Sequence, residues 1–276
     1  MSQSVVERDS TNLFMHECRK WRQFRKLSQL ELALTANISQ RHISYLETGR
    51  SQPSREMVVQ LADALDVPLR ERNVMLQAAG FSALYNESQM DDPVMAPIMK
   101  AVKRVLEHHN PLPAIVVDRF WDVQMMNASA ERLFGLIMSS SDFASKNGEQ
   151  AKLNVAELTL HPKGLRQFIT NWEQAAPSFV SRLKSEMLSS ANVEVRQRLG
   201  GYLALASSVG EFDSFQPGLL PVMPLNISVS GVELSFFSMI STIGTPQDIT
   251  TDELRIESFY PNDEATEVFF RSPALS

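Results

Sequence analysis

Through roughly the first 80 residues, apolar positions recur every three to four residues, the spacing of helices packed on one another; in the last third the pattern gives way to strand-like runs. Phe14, Cys18, Trp21 and Arg25 predict a first helix over Thr11–Lys26. Ser28 then supplies a hydroxyl that can accept a backbone N–H, and Glu31 three positions on completes a capping box, so a second helix starts there. It must be short, because Asn37 stands where the chain reverses, and left-handed backbone is cheapest for Gly and next for Asn or Asp. Ile38 follows as an apolar plug. Ser39 then caps a third helix, Gln40–Thr48, with Ile43 and Leu46 inward, Gln40, Arg41, His42, Ser44 and Tyr45 on its other faces, and Gly49 at its end. Pro53-Ser54 opens a fourth helix carrying Met57, Val58, Leu61, Ala62 and Leu65, and Pro68 opens a fifth that ends near Gly80.

Beyond a polar, acidic stretch around Tyr85–Pro93 the pattern changes. A helix over about Pro97–His109 is broken by Pro111-Leu-Pro, and Ala114–Asn127 reads as a β-hairpin turning at Asp118-Arg119. Asn127 caps a helix through Phe134. The middle is helical, with Leu165, Phe168, Ile169 and Trp172, then Phe179, Val180, Leu183 and Met187, at three- and four-residue spacing. Val222–Ser230 and Val232–Thr242 flank the tight-turn pair Ser230-Gly231, and Leu254–Tyr260 is a third strand. A sheet with helices packed on one side, an α+β arrangement, is the expectation for this part.

A chain of 276 residues with 43% apolar content can bury two cores. The lone Cys18 excludes an intrachain disulfide, and neither a signal peptide nor a run of the roughly 20 apolar residues a membrane span needs is present, so a soluble, cytoplasmic protein is expected. The net charge of -6 is unevenly spread. Residues 1–88 hold 11 basic against 10 acidic groups, residues 89–276 hold 15 against 22, and Phe14–Arg55 holds 8 against 3. Positive charge therefore sits with the short-helix pair, where phosphate contact would need it. A small bundle with a solvated polar face is the plain alternative. Two caps, a turn of fixed length, the small Ala33 and a helix opening Gln-Arg-His favour DNA, since Arg suits guanine O6 and N7 and Gln suits adenine N6 and N7.

The segment resembles the helix-turn-helix of phage repressors and Cro, the xenobiotic-response-element class, through Ser28, Gln29, Leu32, Ala33, Ser39, Glu47, Gly49 and Pro53. The resemblance implies a phosphate contact at Gln29 and base reading by residues after the second cap, Gln40, Arg41 and His42 with Ser44 and Tyr45. It also implies a structural Arg22–Glu47 pair. Asn37 departs from the usual Gly. Ser39 and Arg50 complete the candidate DNA set, with Arg55 a further flanking cation.

A second resemblance rests on the hairpin ending in Asn127, on His161-Pro-Lys-Gly-Leu-Arg with Asn171-Trp172, and above all on Gly244-Thr-Pro-Gln-Asp-Ile-Thr-Thr-Asp-Glu-Leu-Arg-Ile-Glu-Ser-Phe-Tyr-Pro261. These resemble the MmyB-like transcription regulators. That implies a PAS-like C-terminal domain holding a small lipophilic, fatty-acid-like molecule. Phe120, Trp121, Met125, Met126, Phe134, Phe168, Trp172, Phe236 and Phe237 are candidates for lining its pocket, a closed core being the alternative for each.

His16, His42, His108, His109 and His161 show no metal-site spacing, and no phosphate-cradling loop, nucleophile elbow or catalytic carboxylate pair is recognisable. No enzymatic activity, cofactor or metal is expected. The expectation is an all-α five-helix Cro/repressor-type domain over 1–84, a linker over 85–95 and an α+β PAS-like ligand-binding domain over 96–276. Expected partners are an operator in double-stranded DNA, a second copy of the chain and a small lipophilic effector, with no membrane. The runner-up gives the C-terminal domain only dimerisation or protein contact.

Overall fold

In the computed structural model, the described residues are 3–143, 152–190, 192–207 and 222–272. They divide into two compact units. The first comprises residues up to Gln89 together with Thr245–Asp252, and the second runs over Met90–Gly244 and from Glu253 onward.

The first unit holds α1 (Gln3–Phe24), α2 (Gln29–Thr35), α3 (Gln40–Glu47), α4 (Arg55–Ala64) and α5 (Leu69–Ala78). Their core is Phe14, Cys18, Trp21, Leu32, Ile43, Leu46, Leu61 and Met75, all essentially inaccessible. The five helices close alike. Lys26, Asn37, Gly49, Asp66 and Gly80 adopt positive φ. In each case the next N–H reaches back to a carbonyl in the last turn, as from Leu27 to Arg22, Ile38 to Ala33 and Arg50 to Tyr45. The turn at Asn37 follows the expectation. Lys26 explains why α1 stops at Phe24, short of the predicted end: a left-handed residue cannot continue a right-handed helix. At its other end α1 reaches back to Gln3, earlier than Thr11. The remaining helix of this unit is α11 (Ile249–Glu253), nearly all of it in the segment Thr245–Asp252.

The second unit is built on a five-stranded antiparallel sheet, β1 (Ala114–Val117), β2 (Val123–Met126), β3 (Leu225–Val229), β4 (Val232–Thr242) and β5 (Arg255–Pro261), in the order β2-β1-β5-β4-β3. Ser230 and Gly231 both take positive φ between β3 and β4, the geometry a two-residue hairpin needs. Its helices are α6 (Ala96–His109), α7 (Ala128–Ser139), α8 (Val155–Leu160), α9 (Trp172–Ser189), α10 (Val193–Ser207) and α12 (Glu264–Arg271). α7 runs five residues past Phe134. Helices cover both faces of the sheet, correcting the one-sided expectation. Ala114, Val116 and Ile256 pack with Met99, Val102 and Leu106 of α6, whereas Ile115, Val117, Leu234, Phe236 and Phe259 join the cluster built by α7 to α10. β1 carries apolar residues at all four positions, so neither of its faces can be left to water.

The predicted continuous helix around Leu165–Trp172 is also interrupted. Leu165–Phe168 forms one 3-10 turn, Ile169 bridges to Ile227, and α9 begins only at Trp172. Asn171 enforces the break, its side chain accepting from Asn226 N (3.0 Å) and donating to Pro224 O (2.8 Å).

Candidate nucleic-acid interface and ligand cavity

Ser28 Oγ accepts from Glu31 N at 3.2 Å while Glu31 accepts from Ser28 N at 2.7 Å, so the α2 capping box is complete. Ser39 Oγ accepts from His42 N at 3.2 Å and starts α3 in the same way. α3 is then fixed from behind. Glu47 is fully buried at its inner end and takes a two-pronged contact from Arg22, Nε to Oε1 at 2.6 Å and Nη2 to Oε2 at 2.8 Å. Gln29 adds its amide N–H to Glu47 Oε2 at 2.9 Å, and Arg19 donates to the Glu47 carbonyl at 2.7 Å. Burial alone would raise the Glu47 pKa, but the hydrogen bonds from Arg22 and Gln29 and the charges of Arg22 and Arg19 outweigh it and hold the carboxyl below its ordinary value.

With α3 pinned, its other faces remain open. Ser39, Gln40, Arg41 and Arg50 are exposed, and Gln29, His42, Ser44 and Tyr45 are half-buried. Tyr45 organises this surface, a role the sequence reading missed. Arg41 Nε donates to its hydroxyl at 2.8 Å, and the guanidinium groups of Arg41 and Arg50 lie 5.2 and 5.9 Å from its ring centroid. Two cations are thereby held beside α3. Cys18 lies on the inner face of α1, fully buried; burial first, and the nearby Glu47 charge second, push its thiol up to about 12, so it is no nucleophile.

In the second unit a cavity of about 230 Å³ opens between the sheet and its helices. Among the aromatic residues picked out in the sequence, Phe134, Trp172, Phe236 and Phe237 line it. Phe120, Trp121, Met125, Met126 and Phe168 lie outside its lining. Phe120 is flanked by the guanidinium groups of Arg119 and Arg198 at 4.5 and 4.4 Å, and Trp121 is buried against Phe179. Met125 packs with the α6 cluster on the opposite face of the sheet, and Met126 and Phe168 pack against the main core.

The lining is completed by apolar residues such as Leu133, Ile137 and Phe179 and by five polar side chains that the sequence reading missed, Thr159, Ser178, Arg182, Ser238 and Glu257. The signal for Glu257 was available. In a strand it shares its face with Phe259, so a carboxylate had to point where an apolar residue packs.

The chain matches the family model described as the MmyB-like transcription regulator ligand binding domain over residues 98–272, and the helix-turn-helix model over residues 19–72. The chain belongs to the MmyB-like transcription regulators. It is thus a DNA-binding transcription regulator with a ligand-binding domain, and both matched families are regulatory. No curated protein matches it. A solved structure titled an RNA-binding light-oxygen-voltage receptor is similar at 11% identity with a TM-score of 0.23, over 98% of this chain and 61% of that one. In this MmyB-like regulator no helix among the described residues is long and apolar enough to cross a membrane. The helix-turn-helix match encloses every candidate DNA residue from Gln29 to Arg55, and the ligand-domain match encloses the whole cavity lining.

Proposed function

We propose that the chain binds a specific operator through α3 and that its cavity takes a small lipophilic, fatty-acid-like effector. The observation that carries the DNA half is the construction of α3: a helix fixed internally by the Arg22–Glu47–Gln29 cluster, with Gln40 and Arg41 left exposed. Gln40, Arg41 and His42 are assigned to base edges. Ser39, Gln29 and Arg50 are assigned to the phosphate backbone, with Ser44 and Tyr45 supporting either contact. A single helix of this kind covers little DNA, so a homodimer on a near-palindromic site is proposed, its half-sites about 34 Å apart. The cavity half rests on a lining of Phe, Leu, Ile and Trp side chains with few polar groups, the composition of a site for an apolar chain.

Arg41→Ala tests the assignment. Fluorescence anisotropy on operator and on random duplex should show preference for the operator falling by about 1–3 kcal/mol, the usual worth of one bidentate base contact. An equal loss on both duplexes would make Arg41 a phosphate contact instead.

A further inference from the structure

An open sheet leaves hydrogen-bonding groups unpaired along its outer edges, and the two outermost strands here are each met by a loop of their own chain. Beside β2, Val123 N donates to Leu153 O at 2.8 Å and Asp122 bridges to Asn154. Beside β3, Thr170 N donates to Asn226 O at 2.9 Å and Ile169 bridges to Ile227. The second half of β4 is different. β3 pairs with it only from Val232 to Phe236, whereas β4 runs on to Thr242.

The register fixes which groups this leaves open. Ser230-Gly231 closes a two-residue hairpin, so Val232, Leu234 and Phe236 turn their N–H and C=O toward β3. Alternate residues turn theirs toward β5 and its continuation, as Ser235 does in accepting from Asn262 N at 2.8 Å. Ser238, Ile240 and Thr242 therefore aim N–H and C=O outward, and no described residue bonds to these groups. The side chains are open as well. Residues 238–242 are all exposed, Met239 to 56% and Ile240 to 37%. Native edges are ordinarily shielded by a charge, a proline or a bulge, and Phe237-Ser-Met-Ile-Ser-Thr242 has none of these.

A second copy of the same edge fits it. Antiparallel pairing about a two-fold axis at Ile240 sets Ile240 against its own counterpart and Ser238 against Thr242 of the other copy. Every outward N–H and C=O of the three residues then finds a partner, and the uncharged segment brings no like charges together. We propose that residues 238–242 of β4 are the dimer interface, joining the sheets of two copies edge to edge. The inference rests on the homodimer reading and adds to it the place where the copies meet. That place adjoins the cavity, whose lining includes Phe236, Phe237 and Ser238.

Ile240→Cys in the full-length protein tests the register. Across a hydrogen-bonded antiparallel pair the Cα atoms lie about 5.5 Å apart, inside the roughly 4.4–6.8 Å that a disulfide spans. The single native thiol, Cys18, is buried and supplies no competing bridge. Mild oxidation should convert most of Ile240→Cys to a covalent dimer and leave Glu233→Cys, an exposed site on the paired half of β4, unlinked. In sedimentation without oxidant the wild type should be a dimer. Ile240→Lys, which sets two cations face to face, should raise its dissociation constant at least about tenfold while the urea midpoint of the ligand-binding unit stays near that of the wild type. A wild-type dimer that neither cross-links at residue 240 nor loosens in Ile240→Lys overturns this interface and leaves the homodimer reading standing. A free monomer that occupies the operator as two copies overturns it likewise, the open edge then serving a different protein. A monomer that occupies the operator as a single copy overturns both.

Discussion

Glu47 is inaccessible to water yet carries a charge, and Arg22, its main partner, is only 13% exposed at its side chain. A pair of this kind is an expensive way to gain stability but a costly one to break, because removing either partner leaves the other buried and uncompensated. Arg22→Ala should therefore destabilise the first unit by about 3–5 kcal/mol, read as lost hydrogen-exchange protection of the α1–α3 amides. Acid should act on the same contact. The Glu47 pKa is lowered on folding, so its stabilisation is complete above the unfolded carboxyl value and is lost as pH falls through the lower folded one. The gap in protection between wild type and Glu47→Gln should narrow as pH drops below about 4. A gap independent of pH would mean that Glu47 acts through shape and not through charge. This pairing was legible in the sequence through the repressor-like motif. Only half of the Tyr45 stack was legible: Arg41 stands four residues before Tyr45 on α3, whereas Arg50 approaches the ring only after Gly49 has turned the chain back on itself.

At the level of elements, local chemistry decided most boundaries. Ser28, Ser39, Ser54 and Asn127 each cap the helix that follows them, and Ser230-Gly231 makes the hairpin turn its letters announce. The failures came where distant contacts overrode local preference. Lys26 has little intrinsic reason to go left-handed and Asp66 only a modest one, yet Arg25 donates to the Leu65 carbonyl at 2.7 Å and to that of Asp66, tying the two helix ends together. Periodicity through Leu165–Trp172 could not reveal that Asn171 would be claimed by β3 and its approach. Asn127 shows how much one cap can do. Its Oδ1 accepts from Ala114 N and Ala130 N, both at 3.0 Å, and its Nδ2 donates to the carbonyls of Leu106 and Leu112. Asn127→Ala removes the cap of α7 and strands buried groups of β1 and α6. Its cost should exceed the roughly 0.5–2 kcal/mol of an ordinary cap and reach about 2–4 kcal/mol, seen as a lower urea midpoint of the ligand-binding unit. A loss below 1 kcal/mol, on the order of a simple cap, would mean that water replaces the other bonds.

Across the whole molecule, the chain passes between the two units three times, after Gln89, after Gly244 and after Asp252. The last two passages enclose the segment that joins β4 to β5, and both of those strands line the cavity through Phe236, Ser238, Glu257 and Phe259. Inside the first unit this segment is held by specific bonds. Asp248 accepts from Ser88 N at 3.1 Å and Ser88 Oγ at 2.8 Å, and Ile249 N reaches Asn86 O at 2.8 Å. Asp252 Oδ2 accepts from Leu69 N at 3.1 Å, supplying to α5 the side-chain cap that Pro68 cannot. The MmyB-like motif from Gly244 to Pro261 is therefore half cavity wall and half a piece of the helical unit, a division its sequence conceals because a continuous segment need not fold into one body. An effector changes DNA affinity only as far as its bound and free states differ in contacts that also touch the DNA-binding unit. Asp248→Ala loosens this segment without touching α3 or the cavity lining. With decanoic acid as a probe of the proposed fatty-acid-like effector, it should leave basal operator affinity and decanoate affinity within about twofold of wild type, while the change in operator affinity caused by decanoate, in the range of about 5–150-fold for typical couplings, shrinks toward none. Operator titrations with and without decanoate in both proteins measure this, and a response of undiminished size in Asp248→Ala would show that the effector's influence does not travel through the β4–β5 connection.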